Sequence, residues 1–125
     1  MTGRFLSKGG NAPIGYKSQA WGQVVQATSK STAVTLNTLS GQITMNNAAL
    51  AAGAEVTFTV NNNLVKANDV PNVVIKSGMT GTGYLTQVTA VADGSFNITV
   101  SNLDATGGNT DALVLNFAIL RGAAA

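Results

Sequence analysis

A period-two alternation runs through most of this chain from Gln23 onward. In residues 55–61, for example, valine and phenylalanine alternate with threonine, which places the apolar side chains on one side of an extended strand. Turn-forming residues interrupt the pattern every eight to twelve positions or so, as in all-β domains. Each such strand offers one face to a core, so the sequence predicts β-sheets that pack against each other.

Eight strands are predicted, at about 23–28, 33–37, 42–46, 55–61, 72–77, 84–92, 95–102 and 112–120. Asp93-Gly94 lies between the sixth and seventh strands and predicts a hairpin. The last strand is apolar on both faces, which places it centrally in a sandwich or at a subunit contact. Residues 46–53 are the one helical candidate, a connector of about two turns. The expected fold is an all-β, eight-stranded sandwich of jelly-roll or Greek-key type.

Residues 1–21 lack this alternation and are predicted to form an extended N-terminal arm, with the sandwich domain at 22–125. Residues 1–54 contain four basic side chains and no acid. Apolar side chains of the arm are expected to fill pockets of a partner protein, and its basic side chains to meet acidic groups there. The predicted partner-binding residues are Arg4, Phe5, Leu6, Lys8, Tyr16, Lys17 and Trp21.

The composition argues against catalysis and metal binding by this chain. It contains no cysteine and no histidine, which removes disulfides, thiolate nucleophiles, the commonest general base and the commonest metal ligands. We therefore expect no enzyme activity, cofactor, metal site or small-molecule substrate. Only 10% of the residues are charged and the net charge is +2, so little electrostatic repulsion opposes association and an assembly is expected.

Other motifs have simpler interpretations. The glycines of 77–84 could suggest a phosphate cradle, but the segment joins two strands and lacks the following helix, so it is interpreted as a loop. Asp104, Asn109 and Asp111 could hold a hard cation, although turns select the same residues. The basic arm could follow a nucleic acid, but its charges are spread out, which favours an acidic protein surface. No leader or membrane span is visible, so a cytoplasmically made protein is expected.

The chain resembles a domain of structural proteins in tailed bacteriophages and prophages over residues 22–121. The resemblance is carried by TSKST at 28–32, by GQITMNNAALAAG at 41–53, and by the SFNITVSN and LNFAIL segments of the last two strands. These segments mark a fold element and include no active site.

The resemblance implies a virion protein. Because the chain has an arm and the β-module but no fibre-forming region, it favours a capsid decoration, or cement, protein on the head surface. Such a protein would bind the major capsid protein as a homotrimer and stabilise contacts between capsid subunits. The alternative is a tail-fibre or tail-tip receptor-binding module that presents loops 77–84 and 104–111 to a cell surface; a tail-tube or connector subunit also stays open.

Overall fold

The computed structural model describes residues 13–80 and 83–123, and these form a β-sandwich of two four-stranded sheets. The expectation of an all-β, eight-stranded sandwich is thus confirmed. The strands are β1 (Trp21–Val25), β2 (Val34–Thr35), β3 (Ser40–Thr44), β4 (Glu55–Asn61), β5 (Val70–Ser77), β6 (Tyr84–Ala92), β7 (Ser95–Asn102) and β8 (Val114–Leu120). A single 3₁₀ turn, Ser18–Ala20, leads into β1. No helix in the described part of the chain has the length and apolarity to cross a bilayer.

All eight predicted strands are present; three of them match at both ends, and the ends of the others differ by at most three residues. The predicted helix at 46–53 is wrong. The Asn46 side-chain oxygen accepts a hydrogen bond from the Ala48 amide at 2.8 Å, a local turn that competes with helix formation. Leu50 then forms an isolated antiparallel bridge with Asn109, and its side chain is buried in the core. Tertiary contacts of Leu50 therefore override the weak helix preference of the alanines.

The strand order is β1-β3-β8-β5 in the first sheet (sheet A) and β2-β4-β7-β6 in the second (sheet B). The chain crosses from one sheet to the other at every connection except the hairpin between β6 and β7. Two successive crossings restore the strand direction, so β1 runs parallel to β3, and β2 to β4. Both sheets are therefore mixed, with one parallel pair each beside their antiparallel pairs.

The core lies between the sheets and consists of the inward faces of the strands and of the connections that close the ends. Its two central rings, Phe96 on β7 and Phe117 on β8, meet edge to face with centroids 5.6 Å apart. β8 lies between β3 and β5, so of the two positions expected for this apolar strand it occupies the central one in a sheet. The buried apolar residues are Val34, Ile43, Met45, Leu50, Phe58, Val60, Val65, Tyr84, Phe96, Ile98, Val100, Leu113, Leu115, Phe117 and Ile119.

Glycine is required where β1 and β3 approach the core. A Cβ atom on Gly41 would lie 2.8 Å from the Gly22 carbonyl oxygen and 3.0 Å from the ring of Phe117. The first of these neighbours is backbone of a paired strand, so it cannot move aside without disturbing the ladder. At the β6–β7 turn, Gly94 adopts a φ of 88°, which supports the predicted hairpin.

We expect Gly41→Ala to lower the free energy of unfolding by about 1–3 kcal/mol, because the added methyl overpacks the β1–β3 contact. Denaturant unfolding followed by intrinsic fluorescence measures the change. Gly107→Ala is the matched control, since a Cβ there would meet nothing within 4 Å and its stability should be unchanged. Equal stability of the two variants would contradict the close approach at Gly41.

Candidate functional site

The chain preceding β1 is fixed to the sandwich at Tyr16. The half-buried Tyr16 side chain donates a hydrogen bond from its hydroxyl to the carbonyl oxygen of Ile119 on β8. The Ile119 amide in turn donates to the Leu39 carbonyl at 2.8 Å, one residue before β3 begins. Tyr16 therefore lies at the end of the β3–β8 ladder, and residues 13–20 approach the domain at a defined point.

An ion pair between a buried carboxylate and a partly exposed arginine lies beside this attachment. Asp69 and Arg121 are 3.1 Å apart, and the Asp69 side chain is 1% exposed while that of Arg121 is 39% exposed. Asp69 also accepts a hydrogen bond from the Lys66 amide at 2.9 Å, which compensates part of the cost of burying its charge. Burial raises the pKa of Tyr16, and the Asp69 carboxylate adds to this while the Arg121 guanidinium opposes it. The phenol is therefore held as a neutral donor.

Three side chains next to the attachment remain exposed. Ile14 is 69% exposed and Trp21 is 42% exposed, and Lys17 between them is also exposed. The turn at Ser18–Ala20 directs the chain into β1, where the Ser40 hydroxyl donates to the Ala20 carbonyl at 3.1 Å. Ile14, Lys17 and Trp21 are referred to below as the attachment surface.

The predicted partner-binding residues divide into two groups. Arg4, Phe5, Leu6 and Lys8 lie outside the described residues, whereas Tyr16, Lys17 and Trp21 lie at the attachment. The Tyr16 hydroxyl is engaged by the chain's own β8, a role that sequence reasoning did not assign to it. Nothing in the local sequence names Ile119 as its acceptor, because the two residues are 103 positions apart.

Lys30 is one of the four basic residues of the segment 1–54, but its charge does not lie on an exposed surface. It is 3% exposed, and its ammonium donates to the Asp111 carbonyl at 2.6 Å and to the Asn46 carbonyl. Gln26, also buried, donates to the carbonyl oxygens of Lys30 and Thr32 and accepts from the Asn46 amide. Burial lowers the pKa of Lys30, and the nearby Asp111 charge opposes this shift. These contacts fix the 26–32 turn to the sandwich.

Asn102 performs the same task at the end of β7. It is 1% exposed, and its amide donates to the carbonyls of Leu50 at 2.9 Å and Ala51 at 3.3 Å. Its side-chain oxygen accepts from the Asp104 amide at 3.0 Å. One buried amide thus holds both the irregular segment after β3 and the loop after β7.

The two loops considered for ligand binding are joined through Asp111. Its carboxylate accepts from the Thr80 hydroxyl at 2.7 Å, the Thr80 amide at 3.1 Å and the Tyr84 hydroxyl at 2.9 Å. The Thr80 hydroxyl bond is the main cause that lowers the pKa of Asp111. Asp104 serves its own turn by accepting from the Thr106 amide at 3.1 Å. Among the described residues there is no group of three or more histidine, cysteine, aspartate or glutamate side chains that could hold a metal ion.

Tyr84 is the loop aromatic that a receptor-binding interpretation would need at the surface. It is only 8% exposed and forms part of the core. Burial and the hydrogen bond to Asp111 raise its pKa to about 12. Its hydroxyl therefore links the core to the loops, and its ring is not presented to solvent.

An open pocket of about 230 Å³ lies near the attachment, between the loop before β5 and the turn of the β6–β7 hairpin. Its charged lining is balanced, with Lys66 and Arg121 facing Asp69 and Asp93. Arg121 and Asp69 already satisfy each other. The pocket offers no excess of charge of either sign.

Comparisons of the chain with protein-family models, with curated proteins and with solved structures find no match.

We expect alkaline pH to destabilise the fold through Tyr84. Its folded-state pKa of about 12 exceeds the ordinary tyrosine value of 10.0, so its contribution is complete below pH 10 and is lost as the pH rises through 12. The chain has two tyrosines, so the difference in tyrosinate absorbance between the unchanged protein and Tyr84→Phe gives the titration of Tyr84. Tyr84→Phe should reduce the loss between pH 10 and 12, and a native-state midpoint near 10 for Tyr84 would contradict its burial against Asp111.

Proposed function

We propose that this chain is a capsid decoration, or cement, protein that binds the outer surface of a tailed-phage head as a trimer and stabilises contacts between major capsid protein subunits. The observation that carries the proposal is the fixed attachment of residues 13–21, which holds Tyr16 on β8 and leaves Trp21 exposed. The likeness of residues 22–121 to phage structural modules supports the choice of partner.

The attachment surface has the composition of a protein-binding site. Trp21 is of the residue type most enriched at binding hot spots, and Ile14 adds exposed apolar area. Lys17 supplies a positive charge that would meet an acidic group at the rim. Because Tyr16 fixes this part of the chain before binding, less conformational entropy would be lost on association.

The proposed mechanism is mass action. A protein that binds assembled capsid subunits but not dissociated ones stabilises the shell by its binding free energy, and many copies multiply the effect. The decoration protein needs no reactive group for this task. It needs a stable domain and a presented binding surface, and the buried contacts of Gln26, Lys30 and Asn102 make the domain rigid.

The alternative of a tail-tip receptor-binding module has less support. It relies on loops 77–84 and 104–111, and Tyr84 is buried while Thr80 and Asp111 bond to each other. A tail-tube or connector subunit finds no specific support in the described residues. The head-surface function is therefore preferred.

We expect the protein to co-sediment saturably with mature, empty heads of the phage that encodes it. Trp21→Ala should weaken this binding by about 30-fold or more, the loss typical of a hot-spot residue. Lys17→Glu should weaken it less and reduce its dependence on salt. A version lacking residues 1–12 keeps the Tyr16 attachment and measures the contribution of Arg4, Phe5, Leu6 and Lys8 separately.

Leu103→Ala is the matched control, because Leu103 is also an exposed apolar residue, at 58%, but follows β7 in sheet B. Its binding should equal that of the unchanged protein. Melting temperatures of all variants show whether the domain is intact. Failure of the unchanged protein to bind heads would overturn the proposed function. Equal binding by Trp21→Ala and the unchanged protein would show that the attachment surface is not the binding site.

A further inference from the structure

The four edge strands of the sandwich are protected to different degrees. An edge strand exposes unpaired backbone donors and acceptors, which natural proteins cover or disfavour with short strands, charges, proline and bulges. In sheet A, β5 carries Pro71 and Lys76, and β1 is five residues long. In sheet B, β2 has only two residues. Of these three edges, β5 carries protecting residues, β2 is very short, and β1, which also lacks charge and proline, is shorter than the nine-residue β6.

The fourth edge, β6, lacks most of these devices. It runs over nine residues, Tyr84–Ala92, and contains no charged residue and no proline. Leu85 is 46% exposed, and Gln87 and Thr89 are exposed as well. No described residue pairs with its outer side. A register shift between Val88 and Ala90 is its one irregularity, and it leaves 84–88 regular.

A neutral row of hydroxyls crosses the outer face of sheet B up to this edge, apart from Glu55 at the far end of β4. The Thr57 and Thr99 hydroxyls are 2.7 Å apart, and the Thr99 and Thr89 hydroxyls are 2.9 Å apart. This row crosses from β4 over β7 to β6 and ends at the open edge. An added strand that continued the sheet would therefore desolvate no charge on β6 and would extend a polar surface whose hydroxyls already bond to one another.

We propose that β6 pairs antiparallel with β6 of a second copy of this chain, across a two-fold axis within residues 84–88. Water satisfies the open backbone edge in the free chain, and a partner that replaces this water along the strand must be an extended polypeptide segment; one free of charge and proline fits this edge best. β6 itself has both properties. A two-fold contact also closes on itself, so the pair buries both open edges and leaves none to propagate.

The paired edges would join the two B sheets into one continuous eight-stranded sheet. The inward residues of β6 remain on the core side in both copies, so the apolar pattern is kept across the axis. Leu85 gains a cross-strand neighbour on the outer face. This contact goes beyond the proposed function, since it requires neither the head nor the attachment surface, which lies in sheet A and the segment before it.

A charge on the edge tests the pairing in solution. Gln87→Lys places one lysine from each copy close to the axis, where like charges oppose association. Light scattering after size exclusion should show that this variant halves the molar mass: from two trimers to one where the trimer of the proposed function forms in solution, and otherwise from a dimer to a monomer, with chains of 12.7 kDa each. Gln23→Lys is the matched control, because Gln23 is an exposed glutamine on the edge strand β1, and its mass should be unchanged.

Cysteine cross-linking gives a second readout that does not depend on destabilising the contact. The chain has no cysteine, so Leu85→Cys, Gln87→Cys and the double variant introduce unique thiols. Residues opposed across an antiparallel pair have Cα atoms about 4.5–5.5 Å apart, within the reach of a disulfide. Oxidation should yield a covalent dimer in at least one of the three, and none with Gln23→Cys.

An unchanged protein that is a monomer or a single trimer would overturn the inference, as would a mass that Gln87→Lys leaves unaltered or the absence of a covalent dimer from all three β6 variants. These outcomes are independent of head binding, which the Trp21→Ala comparison measures. A protein that binds heads but fails to pair through β6 would keep the proposed function and lose this contact.

Discussion

The face-to-face packing of two sheets that are each apolar on one side is the constraint on which the rest of this molecule depends. Every strand can bury its apolar side chains only by facing the other sheet. The edge-to-face contact of Phe96 and Phe117 lies where the central strands of the two sheets cross. Because nearly every connection passes between sheets, the loops gather at the ends of the sandwich, and the strands adjacent along the chain seldom pair.

Buried polar side chains then decide how the ends are closed. Gln26, Lys30 and Asn102 each bond several backbone carbonyls of segments that have no regular structure. A buried donor without an acceptor costs about 1–3 kcal/mol, so each of these residues favours one arrangement of its loop. At the two loops considered for ligand binding, Thr80 and Asp111 bond to each other in a similar way.

The N-terminal segment is attached to sheet A, and the open edge of β6 belongs to sheet B. At the first, Tyr16 converts an irregular segment into a positioned one and presents Trp21. At the second, β6 has unpaired backbone groups because it lies at the edge of sheet B, and it carries no charge or proline that would oppose pairing with another strand. Protein binding at one and self-association at the other are compatible, because neither requires residues of the other.

Period-two alternation was enough to locate the strands and, where only one face of a strand is apolar, the side that faces the core. Asp93-Gly94 likewise marked the β6–β7 turn, since the positive φ at Gly94 favours glycine. Four features could be seen only in the folded chain: the parallel pairs, the irregular path at 46–53, the burial of Lys30 and the contact of Tyr16 with Ile119. These features depend on contacts between residues far apart in the chain, such as that of Lys30 with the Asp111 carbonyl. Because every residue has a backbone carbonyl, the sequence does not show which one will accept the hydrogen bond.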